Sequence, residues 1–246
     1  AEELEAFGAR VDSATDRPAI RTAPLPDLVD ESSLETRSAS QTTVALGVAD
    51  LTLAPVNVDL AHSHLLVAGL ARSGRSTAAL LAGRQLAARG LDVWAVGRAN
   101  SPLEREDVWV ARAFGRGETV AATLEELAST LETSPGSASR VLVVDDLDEM
   151  EDPSFGSSWE RLAKADDLRV IASVETRSYS GFSMNPLLNE LRKARRVLFL
   201  QPDDPVELFQ LSGVRPPIRP GTSMPPGRGV LVVDRVPTVI QVARPD

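Results

Sequence analysis

Residues 67–78 read VAGLARSGRSTA, which sets Gly69, Gly74 and Ser76 at the spacing glycine, four residues, glycine, basic residue, hydroxyl. Glycines so placed let successive backbone N–H groups turn toward a phosphate at the start of a helix. In a P-loop of this form a lysine then reaches the β- and γ-phosphates, and the hydroxyl after it holds Mg²⁺. Gly69, Arg72, Ser73, Gly74, Arg75, Ser76 and Thr77 are therefore the candidate nucleotide-binding residues, with Ser76 also a candidate metal ligand. The basic residue here is Arg75. A planar guanidinium keeps the charge but is bulkier than an ammonium and does not act as a compact point charge.

A second pattern lies at 140–146, RVLVVDD. Four apolar residues followed by an acid match the strand that delivers an aspartate to the Mg²⁺ shell, which makes Asp145 a candidate metal ligand. The next position normally carries a glutamate that orients the attacking water; Asp146 is the candidate catalytic residue and is one methylene shorter. A carboxylate displaced by about 1 Å can cost roughly 100-fold in rate. Asp148, Glu149, Glu151 and Asp152 follow and read as a solvated loop, a second metal site being the sharper alternative. His62 and His64, the two histidines of the chain, read as loop residues leading into a strand.

Two other readings of the glycine loop stay open on the residues alone. Gly69-x-Ala71-x-x-Gly74 is a dinucleotide fingerprint without its middle glycine, and an NADP-dependent oxidoreductase would follow from it. That fold needs an acid at the end of the next strand to hold the ribose. The strand DVWAV ends instead in Gly97 and Arg98, and an arginine there suits a 2′-phosphate. The third reading is a glycine turn without a ligand, with Ser76 capping its helix.

These residues need a scaffold that brings loop and acid together. From Val44 onward TVALGV and PVNVDL are short β-like runs, LLVAG is a buried strand, and STAALLAGRQLAARG has helical density with Gly90 as its stop. LDVWAVG, RVLVVDD, LRVIASVE and RRVLFLQ are further strands, and helices are expected around TVAATLEELASTLE, WERLAKADD, NPLLNELRKA and DPVELFQLSG. SPGSAS ends the first of these helices, and the proline-rich VRPPIRPGTSMPPGRG leads into a terminal β-hairpin, GVLVVDR with TVIQVA. Apolar strands alternating with helices indicate an α/β domain over 44–246, with a mostly parallel sheet covered on both faces. Residues 1–43 read as an N-terminal arm, a short helix followed by an extended connector.

The bulk composition narrows the function classes. A chain of 246 residues with 43% apolar and 25% charged residues suits one large soluble domain. The absence of cysteine excludes disulfides and cysteine zinc sites. A net charge of −9 argues against broad nucleic-acid binding, which needs a surplus of basic residues. All the basic residues except Lys164 and Lys193 are arginine, a compositional bias under which lysine gives way to arginine wherever nothing prevents it. No run of about 18 apolar residues offers a membrane span. The opening AEELEAFGAR, without an initiator Met or a signal-peptide pattern, is expected of a piece of a longer protein.

Together GVADLTLAPVNVDLAHSHLLVAGLARSGRSTAALL, RVLVVDDLDEM, LRVIASVETRS, VLFLQPDDPVELFQLSG and SMPPGRGVLVV resemble the FtsK/SpoIIIE family of RecA-like P-loop ATPases, over most of the chain from about Leu46. Within that family the likeness is greatest to the tandem ATPase modules of the type VII secretion proteins EccC and EssC, and the PPGRG near the C-terminus is its most specific element. The resemblance implies a RecA-like fold, ATP and Mg²⁺ as ligands, and head-to-tail packing against sister modules, with Arg177 or Arg228 reaching a neighbour's phosphates. It further implies recognition of the C-terminal signal of small helical secreted substrates and a cytoplasmic place on a membrane-anchored bacterial protein, the membrane being reached only through the parent chain. Three departures stand out: Arg75 for the lysine, Asp146 for the glutamate, and Glu175-Thr176-Arg177 where DNA-pumping members carry Thr-Gln-Arg, so the γ-phosphate-sensing glutamine is missing. The expectation is a late, degenerate module that binds ATP weakly or without fast hydrolysis. An active DNA-translocating ATPase and a pure interaction domain with an empty pocket are the alternatives.

Overall fold

The computed structural model describes residues 24–34, 40–115, 117–134, 140–150, 152–181, 183–194 and 196–246. Residues 1–23 of the expected arm, most of the SPGSAS turn and Glu151 lie outside them. Ten strands form one sheet: β1 (Thr43–Ala49), β2 (Pro55–Asp59), β3 (Leu65–Gly69), β4 (Val93–Gly97), β5 (Ala111–Phe114), β6 (Arg140–Asp145), β7 (Leu168–Glu175), β8 (Arg196–Leu200), β9 (Arg228–Val233) and β10 (Val236–Val242). Their order across the sheet is β2-β1-β10-β9-β8-β3-β7-β6-β4-β5. From β8 to β5 all neighbours run parallel, and from β8 to β2 all run antiparallel.

The parallel strands are apolar throughout because both of their faces are covered. On one face Leu66, Val96, Val144, Ala172 and Phe199 pack under α2 (Glu118–Thr133), α3 (Gly156–Ala163), α5 (Pro186–Lys193) and α6 (Pro205–Ser212). On the other face Leu65, Val67, Ala95, Val143 and Ile171 pack under α1 (Arg75–Ala88). Alternate residues of each strand thus serve opposite layers, as the two-residue period of a strand requires. A short helix, α4 (Thr176–Ser180), follows β7 directly.

Helix α1 is buried along 78–83 and at Leu86, and its Ala78, Ala79, Ala82 and Gly83 allow close approach to the sheet. Its Gln85 side-chain amide bonds both the N–H and the C=O of Ala45, at 2.8 and 2.9 Å, where the β1–β2 register shifts. The expected terminal hairpin is β9–β10, closed at Asp234 and Arg235 with φ of 48° and 69°, the two-residue turn whose twist matches its strands. Strand β5 was not foreseen. It is a four-residue edge strand, largely half-exposed, so ARAF carries no apolar run to mark it.

Residues 24–34 lie along the end of the chain. Arg244 donates its N–H to Val29 O and accepts from Glu31 N–H, while Val29 and Leu34 join the core on the α1 side. No helix among the described residues is long and apolar enough to cross a membrane.

Candidate functional site

Parallel strands point their carboxyl ends the same way, and in open α/β sheets that edge is where ligands bind. The glycine loop leaves the end of β3, and Asp145 and Asp146 leave the end of β6, two positions along, with β7 between. The two motifs therefore share one edge of the sheet.

The loop is shaped for close packing. A Cβ on Gly69 would lie 2.4 Å from Ser73 Oγ and 3.0 Å from Leu200 Cβ, so only glycine fits. Arg72 and Gly74 both adopt positive φ, 65° and 103°, and Gly74 is the N-cap of α1. Ser76 sits inside the first turn and does not cap the helix. With no side-chain cap on α1, the N–H groups of Arg75, Ser76 and Thr77 have no acceptor among the described residues. Ser73 Oγ is fully buried and has no partner either.

The loop is held from outside by the PPGRG turn. Gly227 N–H donates to Ser73 O at 2.8 Å. In a trans peptide the C=O and N–H point in opposite directions, so this bond aims the Gly74 N–H away from Gly227. Arg228 is committed within the chain. Its Nη2 donates to Leu25 O, Pro26 O and Asp27 Oδ1, each at 2.9 Å, and its Nε donates to Gln241 Oε1 at 3.2 Å.

Arg75 crosses from loop to acid. Its Nη1 donates to Gly69 O at 3.0 Å, and its Nη2 reaches Asp146 Oδ1 at 2.9 Å. Asp146, in the left-handed region at φ 53°, also lies 3.7 Å from Arg98 Nη1. Burial, then the neighbouring Asp145 carboxylate, push the Asp146 carboxyl up to about 6; Arg75 pulls it down, and Asp148 and Glu149 add to the rise. Arg98 itself is paired mainly with Glu149, at 2.7 Å. Asp148 Oδ2 accepts from Glu175 N–H at 3.1 Å.

Asp145 is almost fully buried, and both of its oxygens are engaged by hydroxyls. Ser173 Oγ of β7 donates to Oδ1 at 2.7 Å, and Ser101 Oγ donates to Oδ2 at 2.6 Å. Ser173 Oγ accepts in turn from Asp146 N–H at 2.8 Å. Neither serine was singled out from sequence, although Ser173 leaves a signal as the polar residue inside the apolar run VIASV. Ser76 makes no hydrogen bond to Asp145. The residues fit a polyphosphate, whose acceptors match the free N–H groups of the loop. Asp145 and Ser76 are the residues that would hold Mg²⁺: each Asp145 oxygen accepts one hydroxyl and keeps a further lone pair, while Ser76 makes no bond to it.

The remaining expected residues fall elsewhere. Arg177 is exposed on α4. His64 is at the opposite edge of the sheet, where its Nδ1 accepts from Val170 N–H at 3.1 Å and burial lowers its pKa. Two cavities open along this edge, one beside the acid turn and one beside the loop. One of about 590 Å³ is lined by Arg98, Asn100, Asp148, Glu149, Asp152 and Phe155. The other, about 460 Å³, borders the loop at Arg72, Gly74 and Thr77.

The strand order departs from that of dinucleotide-binding folds, where the strand after the glycine loop lies beside the first. Here β4 is separated from β3 by β7 and β6. No protein-family model matches the sequence, and no curated protein is similar to it in sequence. Solved structures are similar in fold. The cytoplasmic domain of the type VII secretion ATPase EccC from Thermomonospora curvata superposes with a TM-score of 0.70 at 20% identity, over 90% of this chain and 28% of that one. A structure of ATPases 2 and 3 of the same EccC, in complex with a signal sequence peptide, gives 0.69 at 20% identity over 90% and 44%. ATPases 2 and 3 of EssC from Geobacillus thermodenitrificans give 0.70 at 15% identity over 91% and 46%. The pCW3 conjugation coupling protein TcpA with ATPγS gives 0.64 at 14% identity over 91% and 71%. This chain thus spans less than half the length of the EccC and EssC chains it matches. With its glycine loop and acid turn on one sheet edge, it has the fold of the FtsK/SpoIIIE-type P-loop ATPase modules of EccC and EssC.

Proposed function

We propose that this chain is an ATPase-type module of a protein-secretion machine that binds ATP through the glycine loop and turns it over slowly or not at all. The observation that carries the reading is the position of Arg75, whose guanidinium spans Gly69 O and the Asp146 carboxylate. The cation that should meet the γ-phosphate and the acid that should orient water are bonded to each other. A nucleotide entering the loop has to compete with Asp146 for Arg75, while the amides of Arg75, Ser76 and Thr77 are ready for phosphate oxygens. Bound Mg²⁺ would neutralise phosphate charge from Ser76 and Asp145. What the chain itself offers is a cradle of N–H donors beside a pre-paired acid.

The wider role follows from the neighbours. EccC and EssC carry several ATPase modules in one chain, and an EccC fragment binds a signal sequence peptide. By that likeness this module packs against sister modules and contributes to recognition of a secreted protein, in the cytoplasm on a membrane-anchored complex. Arg177, exposed on α4, is the arginine free to reach a neighbouring module's phosphates; Arg228 is spent on residues 25–27.

The test is thermal or chemical denaturation with Mg-ATP alongside phosphate release. ATP at 100 times its dissociation constant is expected to stabilise the fold by about 2.7 kcal/mol with little phosphate produced. Arg75→Lys is expected to tighten ATP binding several-fold, since a single ammonium cannot keep the forked hold on Gly69 O and Asp146 Oδ1 that fixes the guanidinium between them. Brisk hydrolysis that rises with DNA would make the chain a motor instead, and no shift with any nucleotide would leave an interaction domain.

A further inference from the structure

Resting on the phosphate-binding reading of the glycine loop, a further question is how many phosphates the loop is built to take. The amides of Arg75, Ser76 and Thr77 are free at the start of α1. Successive N–H groups of this kind close around one anionic group, and a diphosphate fills them without reaching further. A third phosphoryl group extends past the amides to the cation and the acid turn. That ground is taken. Arg75 and Asp146 are bonded at 2.9 Å, and their side chains are only 13% and 17% exposed, so water does little to loosen the pair. The other arm of the guanidinium is held by Gly69 O at 3.0 Å.

Charge acts in the same sense. Asp145, Asp146, Asp148 and Glu149 follow one another along the turn, with Arg75 and Arg98 as the cations that face them. Arg98 is drawn to Glu149, at 2.7 Å against 3.7 Å to Asp146. The buried Oδ1 of Asp148 has no donor among the described residues. Four carboxylates against two guanidiniums leave the turn negative before any ligand arrives. A terminal phosphate must take Arg75 from Asp146 and then lie beside the carboxylate it has freed, which like charges at short range oppose.

We infer that the preferred ligand of the glycine loop is a nucleoside diphosphate, and that the Arg75–Asp146 pair is the element that selects against a third phosphate. Competition for Arg75 then falls on the terminal phosphoryl group of ATP alone. The module keeps ADP on its amides with the pair intact, and takes ATP as the weaker ligand.

The experiment titrates the full chain with ADP and with ATP, Mg²⁺ in excess, by calorimetry, for wild type and Asp146→Asn. The nucleoside is common to both ligands and cancels in the ratio of their affinities. Wild type is expected to bind ADP about tenfold more tightly than ATP, the scale of one charge-assisted hydrogen bond given up. Asp146→Asn keeps the side-chain shape and an oxygen for Arg75 but removes the charge, so the ratio is expected to fall to roughly one, through tighter ATP binding. A preference that Asp146→Asn leaves unchanged comes from the net charge of −9 or from the loop itself, and overturns the role given to the pair. ATP bound by wild type as tightly as ADP, or more tightly, overturns the inference and leaves the phosphate-binding reading standing. Failure of wild type to bind either nucleotide overturns both together.

Discussion

The glycine loop and the acid turn occupy the same edge of the sheet and spend their hydrogen bonds in opposite ways. The loop keeps its donors free: three amides at the start of α1 and the Ser73 hydroxyl have no acceptor among the described residues. The acid turn has its acceptors engaged within the chain, Asp145 by two serine hydroxyls and Asp146 Oδ1 by Arg75. Binding needs the first set and turnover needs the second. A site can therefore hold a triphosphate and leave its hydrolysis unassisted, because electrostatic stabilisation of the transition state comes from groups still free to provide it.

The largest effect that would sharpen this contrast is on turnover. Arg75→Lys combined with Asp146→Glu restores a compact cation and lengthens the acid by one methylene. Phosphate release is expected to rise about 10- to 100-fold, the scale set by a 1 Å displacement of a catalytic group. An unchanged rate in a variant that still binds ATP would move the block away from the acid turn, to the missing glutamine at Glu175–Arg177.

Stability against pH comes next. The Asp146 carboxyl, at about 6 in the fold against 3.8 ordinarily, holds its proton more tightly folded than unfolded. Stability from this group therefore falls as pH rises from 3.8 through 6, and ionisation carries its full cost above 6. Asp146→Asn should be more stable than wild type at pH 8, on the order of 2–3 kcal/mol, with the advantage fading toward pH 4. Urea denaturation at pH 8, 6 and 4 measures it. A variant less stable at pH 8 would mean that the Arg75 pair outweighs burial and the carboxylate neighbours.

The smallest effect concerns the hidden brace. Ser173→Ala removes a donor to the buried Asp145 and an acceptor for Asp146 N–H, and should cost about 1–3 kcal/mol. ATP affinity should change little, since Ser173 touches the acid turn and not the loop. A large loss of affinity would join the two regions into one unit.

How much of this was legible in the sequence follows from how local each signal is. Apolar runs such as VLVV and VLFL mark strands covered on both faces, and glycine spacing marks the loop, because both depend on neighbours in the chain. The acid turn was readable for the same reason. Strand β5 was not, since Ala113 is the one buried residue of its four and a single alanine writes no apolar run into the sequence. The Arg75–Asp146 pair joins residues 71 apart, so the two substitutions read as separate departures until the fold brings them into one contact. Ser101 escapes notice because a serine looks the same whether it braces an aspartate or faces water, and Ser173 is marked only by its place inside the apolar run VIASV. Leu25 and Val29 sit in a proline-rich stretch whose partners, Arg228 and Arg244, lie some 200 residues away.

The hairpin of β1 and β2 enters the sheet only through β10, the strand of the sheet that lies farthest from it in sequence. Synthesis from the amino end therefore makes this hairpin before the other eight strands and leaves it without its lateral partner until β10 has been made. The antiparallel flank closes only then, and an interval with an unpaired strand edge is built into the biogenesis of the fold.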